Sequence, residues 1–498
     1  MRDAPGTGRP SGDGERSDAH SRPAAAMEPA EIEREIEELE QTDLDQGPVS
    51  GSTSPAHLGP VRKDRSGDVA GNMLATLIGN FFPPLAMLVT APVLAHALGV
   101  TGRGEVAAAT APLLLVLTAA TFGIPQAVTY VIARSPASTA RVTRMGLILI
   151  VVAGLAATGA VILAADWLSG QQNSVSRLIV IASLAVVPSL AVAVLRGAAS
   201  GLHRWRVVTR ERFLSAVSRV VLLVPLALTG LLNPLTATLV ISVGPLIGAL
   251  AYVRALRVSP EDMHDDEDVR TDARTILSYG MRVWVGAISG ILLSRLDQTL
   301  MTPLAGSYEL GLYVVAATIA DIPLIINAAV RDVTFSADAA HATDRRLAQS
   351  ARISSTACLV LAVAILVPIA WWLPLLFGPE FSPAVPVAII LVIATVQGAP
   401  GSIAGAGLAA RGRPGLRSTS LVVACIINIG LLVVMVPSLG AMGAAWATLI
   451  GSFIAANSNI FFLWKIFGVS PWQFYGFRRD DFHTTVRFAR RMLKGVRR

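Results

Sequence analysis

The sequence predicts an all-α polytopic membrane protein with twelve transmembrane helices. Hydrophobic residues make up 53% of its 498 residues and charged residues only 15%, whereas soluble chains carry about a quarter charged residues. Apolar segments of about 20 residues, enough to span a bilayer as a helix, alternate with short polar breaks. Arginines concentrate in every second break. We therefore expect a chain made mostly of membrane-spanning helices.

The predicted spans follow one another from residue 69 to about residue 466. Each is a long apolar run bounded by polar residues, glycine or proline. The spans cover residues 70–98, 105–133, 143–166, 177–200, 211–231, 234–254, 276–303, 308–333, 350–377, 383–410, 416–437 and 440–466.

The arginines between the spans predict the orientation of the chain in a cell membrane. Cytoplasmic loops carry an excess of arginine and lysine, and a cytoplasmic N-terminus puts nearly all loop arginines on the cytoplasmic side. The opposite breaks carry only Arg103 and Arg177. Twelve spans then leave both termini cytoplasmic. The arginines of the cytoplasmic breaks are Arg134, Arg141, Arg144, Arg204, Arg206, Arg210, Arg212, Arg254, Arg257, Arg270, Arg274, Arg331, Arg345, Arg346, Arg352, Arg411, Arg413 and Arg417.

An internal repeat divides the spans into two groups of six. The pattern Gly-x4-Gly at residues 99–104 recurs at 306–311, about 207 residues later. The pattern Ala-Ala-x-Gly at 198–201 recurs at 409–412, about 211 residues later. An offset of six helices keeps the orientation of each copy, which predicts two pseudo-symmetric lobes related by an axis along the membrane normal. A substrate path would lie between them.

The repeat and the composition together predict five segments. The Gly-, Ser- and Pro-rich N-terminal tail holds EIEREIEELE, a short acidic helix that either docks a partner or is simply solvated. The basic C-terminal tail either lies on the anionic leaflet as an amphipathic helix or acts as a positive-inside anchor. The segments are 1–68 (disordered cytoplasmic tail), 69–254 (N-lobe), 255–274 (cytoplasmic linker), 275–466 (C-lobe) and 467–498 (amphipathic cytoplasmic tail).

Several other functional classes lack the residues that they need. None of the three lysines precedes Ser or Thr, so no phosphate-binding loop for ATP is present, and the seven histidines form no HExxH motif. The two cysteines lie inside apolar runs, which fits neither a disulfide framework nor a metal site. The arginines are scattered between spans rather than gathered for nucleic acid. We predict a transporter rather than an enzyme, without cofactor or metal.

Four stretches in a fixed order carry a resemblance to a known family. They are LGVTGRGEVAAATAPLLLVLTAATFGIPQAVTY, SRLDQTLMTPLAGSYELGLYVVAATIAD, LLFGPEF with a following GLAARGRP, and PSLGAMGAAWATL. Together they resemble the polysaccharide repeat-unit flippases of the multidrug, oligosaccharidyl-lipid and polysaccharide exporter (MOP) superfamily. The resemblance covers nearly the whole membrane region.

The resemblance implies a two-lobe transporter with a V-shaped cleft. Such a protein moves a polyprenyl-diphosphate-linked saccharide from the cytoplasmic to the outer leaflet by alternating access, in contact with membrane lipid and with a polymerase or glycosyltransferase as candidate partners. Lipid II flippases look similar but usually carry two further helices. A multidrug cation exporter of the same superfamily and a purely structural membrane protein also stay open as alternatives.

Polar and charged residues inside the spans are the candidate substrate-binding residues, because buried charge in a membrane is costly. The arginines of spans five and seven, near the cytoplasmic side, either bind substrate or snorkel to the interface. Arg295 and Asp297 either act in transport or form structural contacts, and at a spacing of two residues each needs its own partner. The predicted substrate-binding residues are Arg219, Arg282, Arg295, Asp297, Asp321, Asn80 and Gln126.

Overall fold

The computed structural model describes residues 66–253, 273–340 and 342–476. The predicted N-terminal tail and linker lie almost entirely outside these residues, and so does the predicted C-terminal tail after residue 476. Within them the chain is helical and contains no strand. The α-helices are Ser66–Ala119, Ile124–Arg134, Thr139–Leu168, Asn173–Ser183, Val186–Gly201, Trp205–Leu228, Pro234–Ile247, Ala273–Ala340, Asp344–Leu366, Ile369–Phe377, Ala384–Ala410 and Pro414–Phe467.

Three of these helices each contain two membrane passes joined at a single glycine. Gly99, Gly306 and Gly440 have φ values of 65°, 84° and 56°, a left-handed conformation that glycine adopts without steric cost. The chain reverses there without a longer loop. We number the passes TM1 to TM12: 66–98, 100–134, 139–168, 173–201, 205–228, 234–252, 273–305, 307–340, 344–377, 384–410, 414–439 and 441–467.

The twelve passes confirm the predicted fold class, two lobes of six helices. Eight helical stretches among the described residues are long and apolar enough to cross a membrane. Three of these stretches hold two passes each, so the eight stretches account for eleven of the twelve passes. The remaining pass, Trp205–Leu228, carries four arginines, which lowers its mean hydropathy.

The passes alternate in direction, so the ends of the molecule differ in composition. The turns at Gly99, Gly306 and Gly440 lie on one side, which we call the glycine-turn side. The loops that begin after Arg134 and Gly201 lie on the other side, together with the Arg411 loop, and we call this the arginine side.

Two lobes meet on the glycine-turn side through a reciprocal backbone contact. Gly104 packs on the carbonyl group of Ser307, and Gly311 packs on the carbonyl group of Val100. A Cβ atom at either glycine would clash with these backbone atoms. Val100 and Ser307 are related by the same 207-residue offset as the two glycines, so the contact is self-complementary, as expected across a twofold axis. We call these four residues the glycine seam.

The neighbouring loops repeat this reciprocity. Ser307 Oγ donates a hydrogen bond of 3.0 Å to Gln172 Oε1 from the loop between TM3 and TM4. In the other lobe, Glu380 lies between TM9 and TM10, and its Oε2 lies 3.4 Å from the position of a Cβ on Gly99. Gln172 and Glu380 are again about 208 residues apart. The glycine-turn side is therefore closed by two equivalent sets of contacts between the lobes.

On the arginine side, ion pairs tie the passes of each lobe together. In the C-lobe, Arg411 Nε donates to Asp338 Oδ2 at 2.9 Å and its Nη1 donates to Asp344 Oδ1 at 2.7 Å. In the N-lobe, Arg196 forms a two-pronged bond with Glu211 at 3.0 Å for each prong. Bidentate pairs fix geometry as well as charge, so these residues hold the ends of the helices.

Candidate functional site

A polar cavity of about 710 Å³ lies among TM7, TM8, TM10, TM11 and TM12. Thr118 of TM2 is the one N-lobe residue that lines it in the described part of the chain. Gly398 of TM10 leaves room on one wall, whereas Gly401 allows the backbone of TM12 to pack closely at Ala456. The sequence suggested a path between the lobes, whereas this cavity belongs mainly to the C-lobe and reaches the N-lobe at a single residue.

Arg295 and Asp321 form an ion pair across the cavity wall. Arg295 Nη2 lies 3.4 Å from Asp321 Oδ2, and the two side chains are 24% and 38% exposed. Arg295 comes from TM7 and Asp321 from TM8, which pack as antiparallel neighbours across the turn at Gly306. Because both side chains stay partly exposed to the cavity, the guanidinium group keeps free donors for a bound anion.

Asp297 is more deeply buried than this pair and has different partners. Its side chain accepts hydrogen bonds from the Tyr313 hydroxyl, from the backbone N–H of Gln298 at 2.7 Å and from Thr448 Oγ1 at 3.5 Å. Only 6% of the residue is exposed. All three donors are neutral, so Asp297 is held without a direct ion pair among the described residues. The structure thus gives Arg295 and Asp297 separate partners, as their spacing predicted.

The cavity continues from Asp297 to a cationic mouth at the arginine side. Arg331 of TM8 and Arg417 of TM11 line that end. Arg331 is paired with the exposed Asp332, at 3.2 Å. The described lining therefore contains three arginines and two aspartates, and its mouth is the more positive end.

Hydroxyl and amide groups make up most of the remaining polar lining. On TM10 and TM12 they recur every four or seven residues, so each of these two sets occupies one helix face. These uncharged stripes were not predicted from the sequence, although their helical spacing is readable, because a hydroxyl or amide group in an apolar span is a weaker signal than a charge. The stripe residues are Asn327 on TM8, Thr395 and Ser402 on TM10, and Thr448, Ser452 and Asn459 on TM12.

Residues 69–336 match the family described as "Polysaccharide biosynthesis protein". This match spans more than half of the chain. The chain belongs to this family. No curated protein matches the sequence.

Solved structures of MOP superfamily transporters share the fold of this polysaccharide biosynthesis family member. An inward-facing multidrug resistance MATE family transporter superposes with a TM-score of 0.62 at 18% identity, over 79% of this chain and 98% of that one. An outward-facing multidrug resistance MATE family transporter gives 0.52 at 18%, over 82% and 96%. A MOP superfamily transporter from Pyrococcus furiosus, described by a binding pocket of reverse polarity, gives 0.57 at 15%, over 82% and 96%. The family member therefore has the fold of MOP superfamily membrane transporters.

The predicted site residues fall into three groups in the structure. Arg295, Asp297 and Asp321 lie together in the C-lobe cavity. Arg219 lies in the N-lobe, where its Nε donates to Thr90 Oγ1 at 3.2 Å, and Gln126 is exposed on TM2 away from the cavity lining. The side chains of Asn80 and Arg282 lie outside the described residues.

Proposed function

We propose that this transporter moves a diphosphate-linked, lipid-anchored saccharide across the membrane by alternating access. The observation that carries the proposal is the C-lobe cavity, which combines a cationic mouth with a lining of hydroxyl and amide groups. Arginine suits phosphate oxygens because its planar fork donates two parallel hydrogen bonds. Hydroxyl and amide groups suit a sugar, whose own hydroxyl groups both donate and accept. A single cavity thus offers partners to both parts of such a headgroup.

The direction of transport follows from the orientation that the arginines predict. With the arginine side facing the cytoplasm, the cavity mouth at Arg331 and Arg417 faces the side on which lipid-linked precursors are loaded. The closed glycine seam then faces outward. With the interior negative, each negative charge moved outward gains ~2.3 kcal/mol per 100 mV, so the membrane potential alone favours export of a diphosphate.

Orientation is tested with exposed positions on the two sides. Ser438 lies on the glycine-turn side and Ala342 on the arginine side, and both are exposed. Cysteine at Ser438 should react in intact cells with a membrane-impermeant thiol reagent, and cysteine at Ala342 should react only after permeabilisation. Labelling of both positions in intact cells would refute the orientation.

A multidrug cation exporter is the second candidate, favoured by the two aspartates of the cavity. Its substrate would need an acidic cavity, but three arginines outnumber Asp297 and Asp321 in the described lining. Asp321 is paired with Arg295 and Arg331 with Asp332, which leaves Asp297, buried behind neutral donors, and Arg417 at the mouth. A headgroup that enters the cavity therefore meets the cation first, which favours an anionic headgroup.

The experiment compares charge at the mouth with two classes of substrate. Arg331→Glu and Arg417→Glu, each checked for normal insertion, should reduce translocation of a polyprenyl-diphosphate saccharide in vesicles at least ~tenfold, since a hydrogen bond to a charged group contributes about 1.5–3 kcal/mol. Arg413→Glu, on an exposed residue outside the cavity lining, is the matched control and should retain transport. Increased efflux of organic cations by the wild type, with no lipid translocation, would replace the proposal with the second candidate.

A further inference from the structure

Arg103, on TM2, is a buried arginine that does not line the C-lobe cavity. Only 4% of the residue is exposed, and its Nε has no hydrogen-bond partner. The sequence had placed it among the loop arginines of the glycine-turn side. A buried, unpaired guanidinium atom is costly, so its burial requires an explanation.

Arg219 brings a second positive charge to the same region of the N-lobe. Its Nε donates to Thr90 Oγ1 at 3.2 Å, and its guanidinium group lies close enough to repel that of Arg103. Among the described residues, neither arginine forms an ion pair with a carboxylate. Glu105 lies only two residues from Arg103 but on a different helix face.

One apolar cluster explains how these groups come together. Leu94, Val106 and Leu223 pack in a cluster formed by TM1, TM2, TM5 and TM6. Thr90, Arg103 and Arg219 each lie one helical turn before one of these residues, and therefore on the same helix face. The three polar side chains consequently point into the interior of the N-lobe and not toward lipid.

The position in the C-lobe equivalent to Thr90 is a carboxylate. Thr90 and Asp297 are 207 residues apart, the offset that relates the two halves of the glycine seam. Asp297 is a carboxylate surrounded by neutral donors, whereas Thr90 is a hydroxyl group that accepts from the Arg219 guanidinium group. At the same offset Arg103 and Arg219 correspond to Leu310 and Ile426, so the two buried arginines are a feature of the N-lobe that the repeat does not share.

We propose that Arg103, Arg219 and Thr90 form an anion site inside the N-lobe that takes a phosphate-class oxyanion. Two guanidinium groups supply several donors to such an anion, and its charge compensates both arginines. Thr90 Oγ1 donates to the Ala86 carbonyl at 2.8 Å and accepts from Arg219 Nε, so it positions Arg219. The anion is either the diphosphate of the lipid-linked substrate, in which case the site rests on the proposed function, or free inorganic phosphate or pyrophosphate. The site is separate from the cavity of the C-lobe.

The test measures thermal unfolding of the purified full-length protein in detergent. Inorganic pyrophosphate should raise the melting temperature of the wild type, because a ligand that binds only the folded state stabilises it. Arg103→Met should abolish this rise, or weaken pyrophosphate binding at least ~tenfold. Without ligand, Arg103→Met should melt no lower than the wild type, since it removes an uncompensated buried charge.

Arg411→Met is the matched control. Arg411 is paired with Asp338 and Asp344, so its replacement leaves carboxylates unpaired and should lower the melting temperature while keeping the rise with pyrophosphate. Absence of any rise in the wild type would overturn the proposal, and so would an undiminished rise in Arg103→Met. A lower melting temperature of ligand-free Arg103→Met would likewise overturn it, because it would show a structural arginine.

A second arm identifies the source of the anion. If a polyprenyl diphosphate stabilises the wild type and competes with pyrophosphate, the site binds the headgroup of the substrate. If only the free anions bind, the site exists but is independent of the transported lipid. Neither measurement requires translocation. Anion binding at Arg103 can therefore be confirmed or refuted even if the proposed transport function is wrong.

Discussion

At the scale of single residues, the C-lobe separates the roles of its two neighbouring charges. Arg295 is partly exposed in the cavity and is paired with Asp321, while Asp297 is buried and held by neutral donors. The first arrangement suits a group that exchanges one anionic partner for another. The second suits a group that changes its protonation state without releasing a cation. Each role has its own test.

Replacing Arg295 tests anion binding in the cavity. Arg295→Ala removes a bidentate donor and should reduce lipid translocation at least ~tenfold, by the loss of about 1.5–3 kcal/mol per charge-assisted bond. Arg295→Lys keeps the charge but loses the fork, and should retain partial activity. The double variant Arg295→Ala with Asp321→Ala removes both partners of the ion pair. If it restored wild-type transport, the role of Arg295 would be limited to neutralising Asp321.

Replacing Asp297 tests proton coupling. Asp297→Asn retains the shape of the side chain and should remove the pH dependence of translocation if a proton moves through this carboxyl group. Tyr313→Phe, which keeps the acid and removes one donor, should shift the pH profile and not abolish it. Rates are measured in vesicles at several external pH values. A pH profile identical to that of the wild type in Asp297→Asn would exclude coupling through this residue.

At the scale of the helices, the spans were predictable because lipid requires every backbone polar group to be satisfied within the helix. The predicted span 105–133 is TM2, observed at 100–134, and the helix breaks inside it between Ala119 and Ile124, which was not predicted. There Phe122 and Gly123 have φ values of 44° and 68°, and Trp284 of TM7 donates to the freed Ala119 carbonyl at 2.7 Å. Such a break depends on a partner from the other lobe, which local sequence does not reveal.

The candidate site was predictable only in part. Arg295, Asp297 and Asp321 stood out as charges within apolar spans, and the structure brings all three to one cavity. From the sequence, Arg331 and Arg417 indicate only the cytoplasmic side of the membrane, because a residue near the end of a span has the same sequence pattern whether it faces water or a cavity. Which face they present depends on how the helices pack, and the repeat alone does not determine it.

The glycine seam gives a prediction for helix packing. Gly104→Ala would place a Cβ against the Ser307 carbonyl group, so the lobes must move apart on the glycine-turn side at a cost of about 1–3 kcal/mol, typical of overpacking. We expect a lower melting temperature and greater reactivity of a cysteine introduced at Ser307, which is buried in the closed state. Gly159→Ala is the control, since no atom lies within 4 Å of its added Cβ. Equal effects of the two substitutions would contradict the seam.

At the scale of the whole molecule, the structure corresponds to one state of the proposed transport cycle. The lobes are in contact on the glycine-turn side through Gly104, Gly311 and their carbonyl partners, and the cavity of the C-lobe extends toward the arginine side. Alternating access requires these contacts to separate while the opposite side closes. The two-lobe fold, with its self-complementary contact, permits such a motion by rotation of whole lobes.

The most direct test of this account is to lock the seam. Gln172→Cys with Ser307→Cys, whose native side chains lie 3.0 Å apart across the lobes, is joined by a short bifunctional thiol reagent in vesicles, and translocation of a polyprenyl-diphosphate saccharide is measured. Alternating access predicts that cross-linking abolishes translocation, while Gln172→Cys alone, treated in the same way, keeps it. Wild-type translocation by the fully cross-linked protein would contradict transport through opening of the seam.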